Sequence, residues 1–170
     1  MRGSWWSRTL ALVVVSLTTL STFRSAGAKP HAPKTAPAFH LPARVGTASL
    51  DSLRGQVVLV DFWASWCAPC LRSFPWMDSL VARYGDRGFR VVAINLDKDR
   101  ALADRFVGDH PASFTIAFDP AGKTAEAYGV AAMPTSFLIG RDGAILQTHV
   151  GFDPKKNAAF EHEIAEQLKP

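Results

Sequence analysis

Cys67 and Cys70 are the only cysteines in a chain of 170 residues, and they stand three apart as Cys67-Ala68-Pro69-Cys70. They follow VVLVDFWASW, an apolar run of strand-forming residues broken by one acid, Asp61. A cysteine pair at this spacing has three uses: a structural staple, half of a metal site, or a working redox couple. A disulfide across so small a loop removes little entropy from the unfolded chain, so it is a poor staple. A closed zinc site needs a second cysteine pair or paired histidines. The histidines His31, His40, His110, His149 and His162 have no metal-like spacing among them. A soft-metal site shared between two molecules, as in a copper-handling module, stays open on these grounds, beside the redox couple.

The placement of the pair favours redox chemistry. Cys67 falls where a buried strand turns into a helix, and the free N–H groups and dipole of a helix N-terminus favour thiolate over thiol. Pro69 suits the first helical turn, where its missing N–H removes no hydrogen bond. Cys67 is then expected to be the exposed attacking sulfur and Cys70, one turn in, the shielded resolving sulfur. Asp61 inside VVLVDFW is expensive to bury charged, so its pKa should rise. Such a carboxyl can take the proton of Cys70 and return it. The plainer alternative is a side chain that only hydrogen-bonds a neighbouring backbone group.

The elements that must position these residues alternate. Strands are expected at Phe39 to Leu41 and Thr47 to Leu50 as short edges, then at Gln56 to Trp63, Arg90 to Leu96 and Phe114 to Phe118. Helices are expected over Pro69 to Tyr84, with Leu71, Phe74, Met77, Leu80 and Val81 near one face, and over Asp99 to Val107, with Leu102 and Phe106 four apart. FDPAGKT turns into a short helix through Ala127. Thr135 to Ile139 and Ala144 to Val150 form a hairpin around Gly140-Arg141-Asp142-Gly143, and Lys155 to Leu168 closes the chain as a helix. This order predicts an α/β fold, a central mixed sheet with helices on both faces.

Length and composition fit one domain: 170 residues with 48% hydrophobic content and a mean hydropathy of +0.04. The start of the chain is different. Thr9 to Phe23 holds no charge, Arg2 and Arg8 precede it, and Ala26-Gly27-Ala28 offers a cleavage pattern. The run of about 15 residues is shorter than the roughly 20 that span a bilayer. Residues 1–28 therefore read as a cleaved signal peptide in preference to a membrane anchor, 29–38 as a proline-rich linker, and 39–170 as the folded domain. Export, with the periplasm as destination, permits a disulfide to persist. Removing Arg2, Arg8 and Arg24 from 19 basic residues leaves 16 against 15 acidic ones. The pI of 9.3 thus belongs in part to the signal, and no nucleic-acid partner is expected.

DFWASWCAPC, Pro75 and the distant Met133-Pro134-Thr135 resemble thioredoxin. The FHLP start, LDSLRGQVVLVDFWASWC and FDPAGKTAEAYGVAAMPTSFLIGRDG are similar to the exported TlpA and ResA branch, over residues 38 to 168. The resemblance implies a thioredoxin fold with an N-terminal β extension and a helical insertion at residues 98–113. It implies Cys67 as nucleophile, Cys70 as resolving thiol and Trp66 beside the site. It also implies a cis bond before Pro134, with the Met133 backbone pairing with an extended client segment. Pro75 would kink the active-site helix. Many members of the branch have asparagine where Asp61 stands and glutamate where Ser73 stands, so the proton acceptor here resembles that of thioredoxin itself. Peroxidases of this fold carry Pro and Thr at the positions of Val60 and Ala64, which excludes that activity.

The implied function is an exported thiol–disulfide oxidoreductase with no cofactor beyond the Cys67–Cys70 pair. Its partners are a disulfide-containing client protein and a membrane dithiol electron donor. The Ala68-Pro69 dipeptide, one apolar residue away from the reducing Gly-Pro pair and without histidine, leans toward a reductase. An oxidase or isomerase is the reverse of the same chemistry.

Overall fold

A computed structural model describes residues 34–169. The expected signal peptide at 1–28 and the first part of the linker lie outside the described residues. The chain runs β1 (His40–Pro42), β2 (Thr47–Ser49), β3 (Val57–Trp63), α1 (Ala68–Tyr84), β4 (Phe89–Asn95), α2 (Arg100–Asp109), β5 (Thr115–Phe118), α3 (Lys123–Tyr128), β6 (Thr135–Ile139), β7 (Ile145–Val150) and α4 (Asn157–Gln167).

Five strands make the central sheet in the order β5-β4-β3-β6-β7. β3 pairs parallel with β4 and antiparallel with β6, so the sheet is mixed. Every residue of β3 is buried, which is why VVLVDFW reads as a continuous run and not an alternating one. Its side chains still alternate between two cores. Val57, Leu59 and Trp63 face a cluster built with α1, α2 and α4, through Phe74, Phe106 and Ile164. Val58, Val60 and Phe62 face the other layer, with Tyr128 of α3 and Phe39 and Leu50 of the N-terminal segment. Helices thus cover both faces, as the alternation of elements predicts.

Several expectations change in detail. β1 and β2 do not join the central sheet; they pair with each other as a separate two-stranded sheet. Leu71 and Leu102 are exposed, at 41% and 42%. The inward face of α1 is Cys70, Ser73, Phe74, Met77 and Leu80, and that of α2 is Ala103, Phe106 and Val107. In α1 Cys70 and Ser73 join the predicted Phe74, Met77 and Leu80 in place of Leu71, and in α2 Ala103 takes the place of Leu102, so both stripes admit small or polar residues that an apolar count passes over. α1 spans Pro75, as the helix expected over Pro69 to Tyr84 requires. Lys155 and Lys156 belong to a 3-10 turn, and the last helix starts at Asn157. Residues before Phe39 also dock: the Ala36 N–H donates to the Gly143 carbonyl at 2.9 Å, and Ala36 is buried. Among the described residues no helix is long and apolar enough to cross a membrane.

Candidate active site

Cys67 ends the β3–α1 turn and serves as the N-cap of α1. The loop that presents it is pinned from the neighbouring strand. Asp97, buried just past β4, accepts the Ser65 N–H at 2.9 Å and the Asn95 side-chain amide at 2.8 Å; Ser65 Oγ also donates to it, at 3.1 Å. The Asp97 N–H in turn donates to Asn95 Oδ1 at 3.0 Å. This buried polar network fixes the residues immediately before Trp66 and Cys67. Sequence reasoning missed it, although two polar residues at the end of the apolar VVAINLD were its visible sign.

Cys67 and Cys70 are joined by a disulfide, with Cα atoms 5.3 Å apart. The Cys70 N–H points at Cys67 Sγ, 3.3 Å away. That contact is what a helix N-terminus offers a sulfur: a free amide donor where negative charge would develop. The expected order of exposure holds, but the expected openness does not. Cys67 is only 5% exposed and Cys70 is fully buried. The reason is that both sulfurs pack in the apolar cluster that contains Trp63 and Phe74. Trp66, by contrast, is 71% exposed and flanks the pair from solvent.

Asp61 lies in the middle of β3, at 1% exposure. It has the strand parity of Leu59 and Trp63, so it enters the same layer as Cys70 and α1. Its carboxylate Oδ1 accepts the Ser136 hydroxyl at 2.5 Å, and Oδ2 has no hydrogen-bond partner among the described residues. Burial pushes the Asp61 pKa up to about 7, the Ser136 hydrogen bond opposing it. The plainer alternative, a tie to neighbouring backbone, is not what the structure holds. Ser136 was not anticipated; a serine inside the buried TSFLI, in register with Asp61, was its signal.

The Met133–Pro134 bond is cis. Met133 is part-buried against the cluster that holds both cysteines, and the Pro134 carbonyl accepts the Gly151 N–H at 2.7 Å. Gly151 has φ of +79°, a left-handed turn that a side chain would strain. Pro134 and Ser73 line one cavity of about 390 Å³ between α1, β7 and α4. Among the described residues no group of three or more His, Cys, Asp or Glu could hold a metal ion.

A mixed sheet in this strand order, with a Cys-x-x-Cys disulfide at a helix N-terminus and a cis-proline before the hairpin, defines a thioredoxin-like protein. The Redoxin family model matches residues 31–168, and the chain belongs to that family. The thiol-disulfide oxidoreductase ResA of Halalkalibacterium halodurans is 32% identical over 174 aligned positions, covering 99% of this chain and 97% of that one. The ResA of Bacillus thuringiensis strain Al Hakam is 34% identical over 107 residues; there the match spans 63% of this chain and 62% of the relative. Among solved structures, one from Chlorobium tepidum assigned as the thiol:disulfide interchange protein DsbE superposes with a TM-score of 0.79 at 50% identity, covering 81% of this chain and 97% of that chain. The exposed lipoprotein thioredoxin of Streptococcus pneumoniae gives 0.68 at 29% identity, covering 76% and 99%.

Proposed function

We propose that this protein is an exported thiol–disulfide oxidoreductase that reduces disulfides of client proteins with the Cys67–Cys70 dithiol. The observation that carries the reading is the Cys67–Cys70 disulfide at the start of α1, above a strand that buries Asp61. Relatives named for the same chemistry support it.

The reaction follows from the geometry. The Cys67 thiolate attacks one sulfur of a client disulfide, forming a mixed disulfide and releasing one client thiolate. Cys70 then gives its proton to Asp61 and attacks Cys67 Sγ, releasing the second client thiolate and closing the Cys67–Cys70 bond. Two electrons pass to the client. Trp66, Met133 and Pro134 form the client-facing surface, and the Met133 backbone pairs with an extended client segment. A membrane dithiol donor restores the dithiol, since the chain has no second cysteine pair. Residues 1–28 direct export to the periplasm, 29–38 connect, and 39–170 carry the activity.

The experiment is the reduction potential of the protein, equilibrated against glutathione buffers. A value below about −230 mV, toward the thioredoxin end of known couples, supports a reductase. A value above about −180 mV overturns that direction and makes Cys67–Cys70 a disulfide donor or isomerase.

A further inference from the structure

Resting on the reading that Asp61 serves Cys70, we propose that Asp61 exchanges its proton with solvent through Ser136 and the adjoining cavity, with the His149–Glu163 pair as the outer end of the path.

A buried carboxyl that takes a proton in every turnover must also lose it, and Asp61 has no contact with bulk water of its own. Of the two strands beside it, β4 offers only Ala93 in register. The β6 side is different. Asp61 is in register with Ser136, and Ser136 with His149 of β7. Directly paired residues of antiparallel strands share a face. The sheet therefore carries a polar row, Asp61, Ser136, His149, across a layer that is otherwise apolar. His149 Nε2 lies 2.9 Å from Glu163 Oε2 of α4, and its ring stacks on Phe160 with centroids 3.6 Å apart. Both members of the His149–Glu163 pair are about one-third exposed, at 30% and 34%.

Ser136 and His149 line the same cavity of about 390 Å³. That volume holds several waters at about 30 Å³ each, given polar groups to bind them. Trp76 also lines it, and the buried Trp76 Nε1 donor has no partner among the described residues. A buried donor of this kind is normally satisfied by ordered water. The other charged groups at the cavity are Asp153 and Lys156, ahead of α4. Among the residues at the start of α1 that are buried in the layer Asp61 enters, the proton-bearing ones, once reduced, are the two cysteines.

The proton balance is simple. Cys70 gives its proton to the Asp61 carboxylate as its sulfur attacks Cys67. The Asp61 carboxyl later passes a proton to Ser136 Oγ while Ser136 releases its own to cavity water. The imidazole of His149 accepts that proton and yields it to solvent, so no charge is left behind.

The test measures the rate of mixed-disulfide resolution by Cys70 in the full chain across pH 5 to 9, in low buffer, for wild type, S136A, S136T, H149F and D61N. Ser136→Ala should slow the Asp61-dependent limb roughly tenfold, a part of the about 10²–10⁴ that positioned proton transfer contributes. Ser136→Thr, which keeps the hydroxyl, should restore it. His149→Phe, which keeps the stacking on Phe160, should slow it too, and added imidazole buffer should recover the loss. If S136A and H149F keep the wild-type profile while D61N is slow, the path is overturned and the role of Asp61 stands. A Ser136→Thr protein as slow as Ser136→Ala gives Ser136 a packing role and also overturns the path. If D61N itself resolves at the wild-type rate, the reading of Asp61 falls together with the path.

Discussion

The Ser136 hydroxyl reaches across from β6 to Asp61 Oδ1 at 2.5 Å, while Asp61 Oδ2 stays buried without a hydrogen-bond partner among the described residues. The two facts act on the carboxyl in opposite directions. A hydrogen bond to an ionised group contributes roughly 1.5–3 kcal/mol, whereas taking the charge out of water costs several kcal/mol. Burial wins, and the Asp61 pKa rises to about 7. A carboxyl so placed gives and takes a proton near neutrality, which is what an acid–base partner for a thiol requires.

The same shift sets a pH dependence of stability. The Asp61 pKa is about 7 in the folded protein against an ordinary 3.8. Between those values the folded chain holds a proton that the unfolded chain lacks. The stability is full below about pH 4 and is lost as pH rises through about 7, a difference on the order of 4 kcal/mol at about 1.4 kcal/mol per pH unit. Urea unfolding of the oxidised protein at pH 5 and pH 8 should show the loss. Asp61→Asn should abolish most of this slope and be the more stable protein at pH 8. An unchanged slope in that variant would assign the pH dependence to other groups.

The division of labour between the cysteines is separable by trapping. With Cys70→Ser, the mixed disulfide through Cys67 should accumulate and resist resolution, as a band that disappears on reduction. Cys67→Ser should form almost none, because Cys70 is fully buried. In the reduced wild type, iodoacetamide should alkylate Cys67 well ahead of Cys70. Equal labelling by mass spectrometry would contradict the assigned roles.

Asp97 should matter to activity without touching the sulfurs. Asp97→Ala leaves the Ser65 amide and the Asn95 side chain without their acceptor. The orphaned Asn95 amide, which is buried, costs about 1–3 kcal/mol, and the part-buried Ser65 amide less. Turnover should fall with the loosening of the loop before Cys67, and the midpoint of thermal unfolding should drop with it. Full activity at a lowered midpoint would restrict Asp97 to stability.

Phe74 ties the active-site helix to the core. Its ring meets Trp63 at 4.9 Å, Phe106 at 5.1 Å and Phe114 at 5.3 Å. Phe74→Ala should cost about 3–5 kcal/mol of unfolding free energy. Leu71→Ala, one helix position from Cys70 but exposed, should stay within about 0.5 kcal/mol. Denaturant titration separates the two, and a Phe74→Ala cost below about 1 kcal/mol would contradict this packing.

The sequence by itself determined the elements and the reactive pair. Continuous apolar runs mark β3 and β4 because both faces of those strands are covered, and Pro69 after Cys67 marks the start of α1 because a missing N–H in the first turn removes no helical hydrogen bond. Asp61 was legible for the same reason: one charge in a buried strand is conspicuous. Tertiary structure decided what lies beside these residues. Ser136 is 75 positions from Asp61, and only the antiparallel register of β3 and β6 brings them together. Asp97 reaches the Cys67 loop only because β4 runs parallel beside β3. Strand register and helix packing are long-range, so no local pattern of residue types reports them. The low exposure of Cys67 is of the same kind, since it depends on which distant side chains close over the turn.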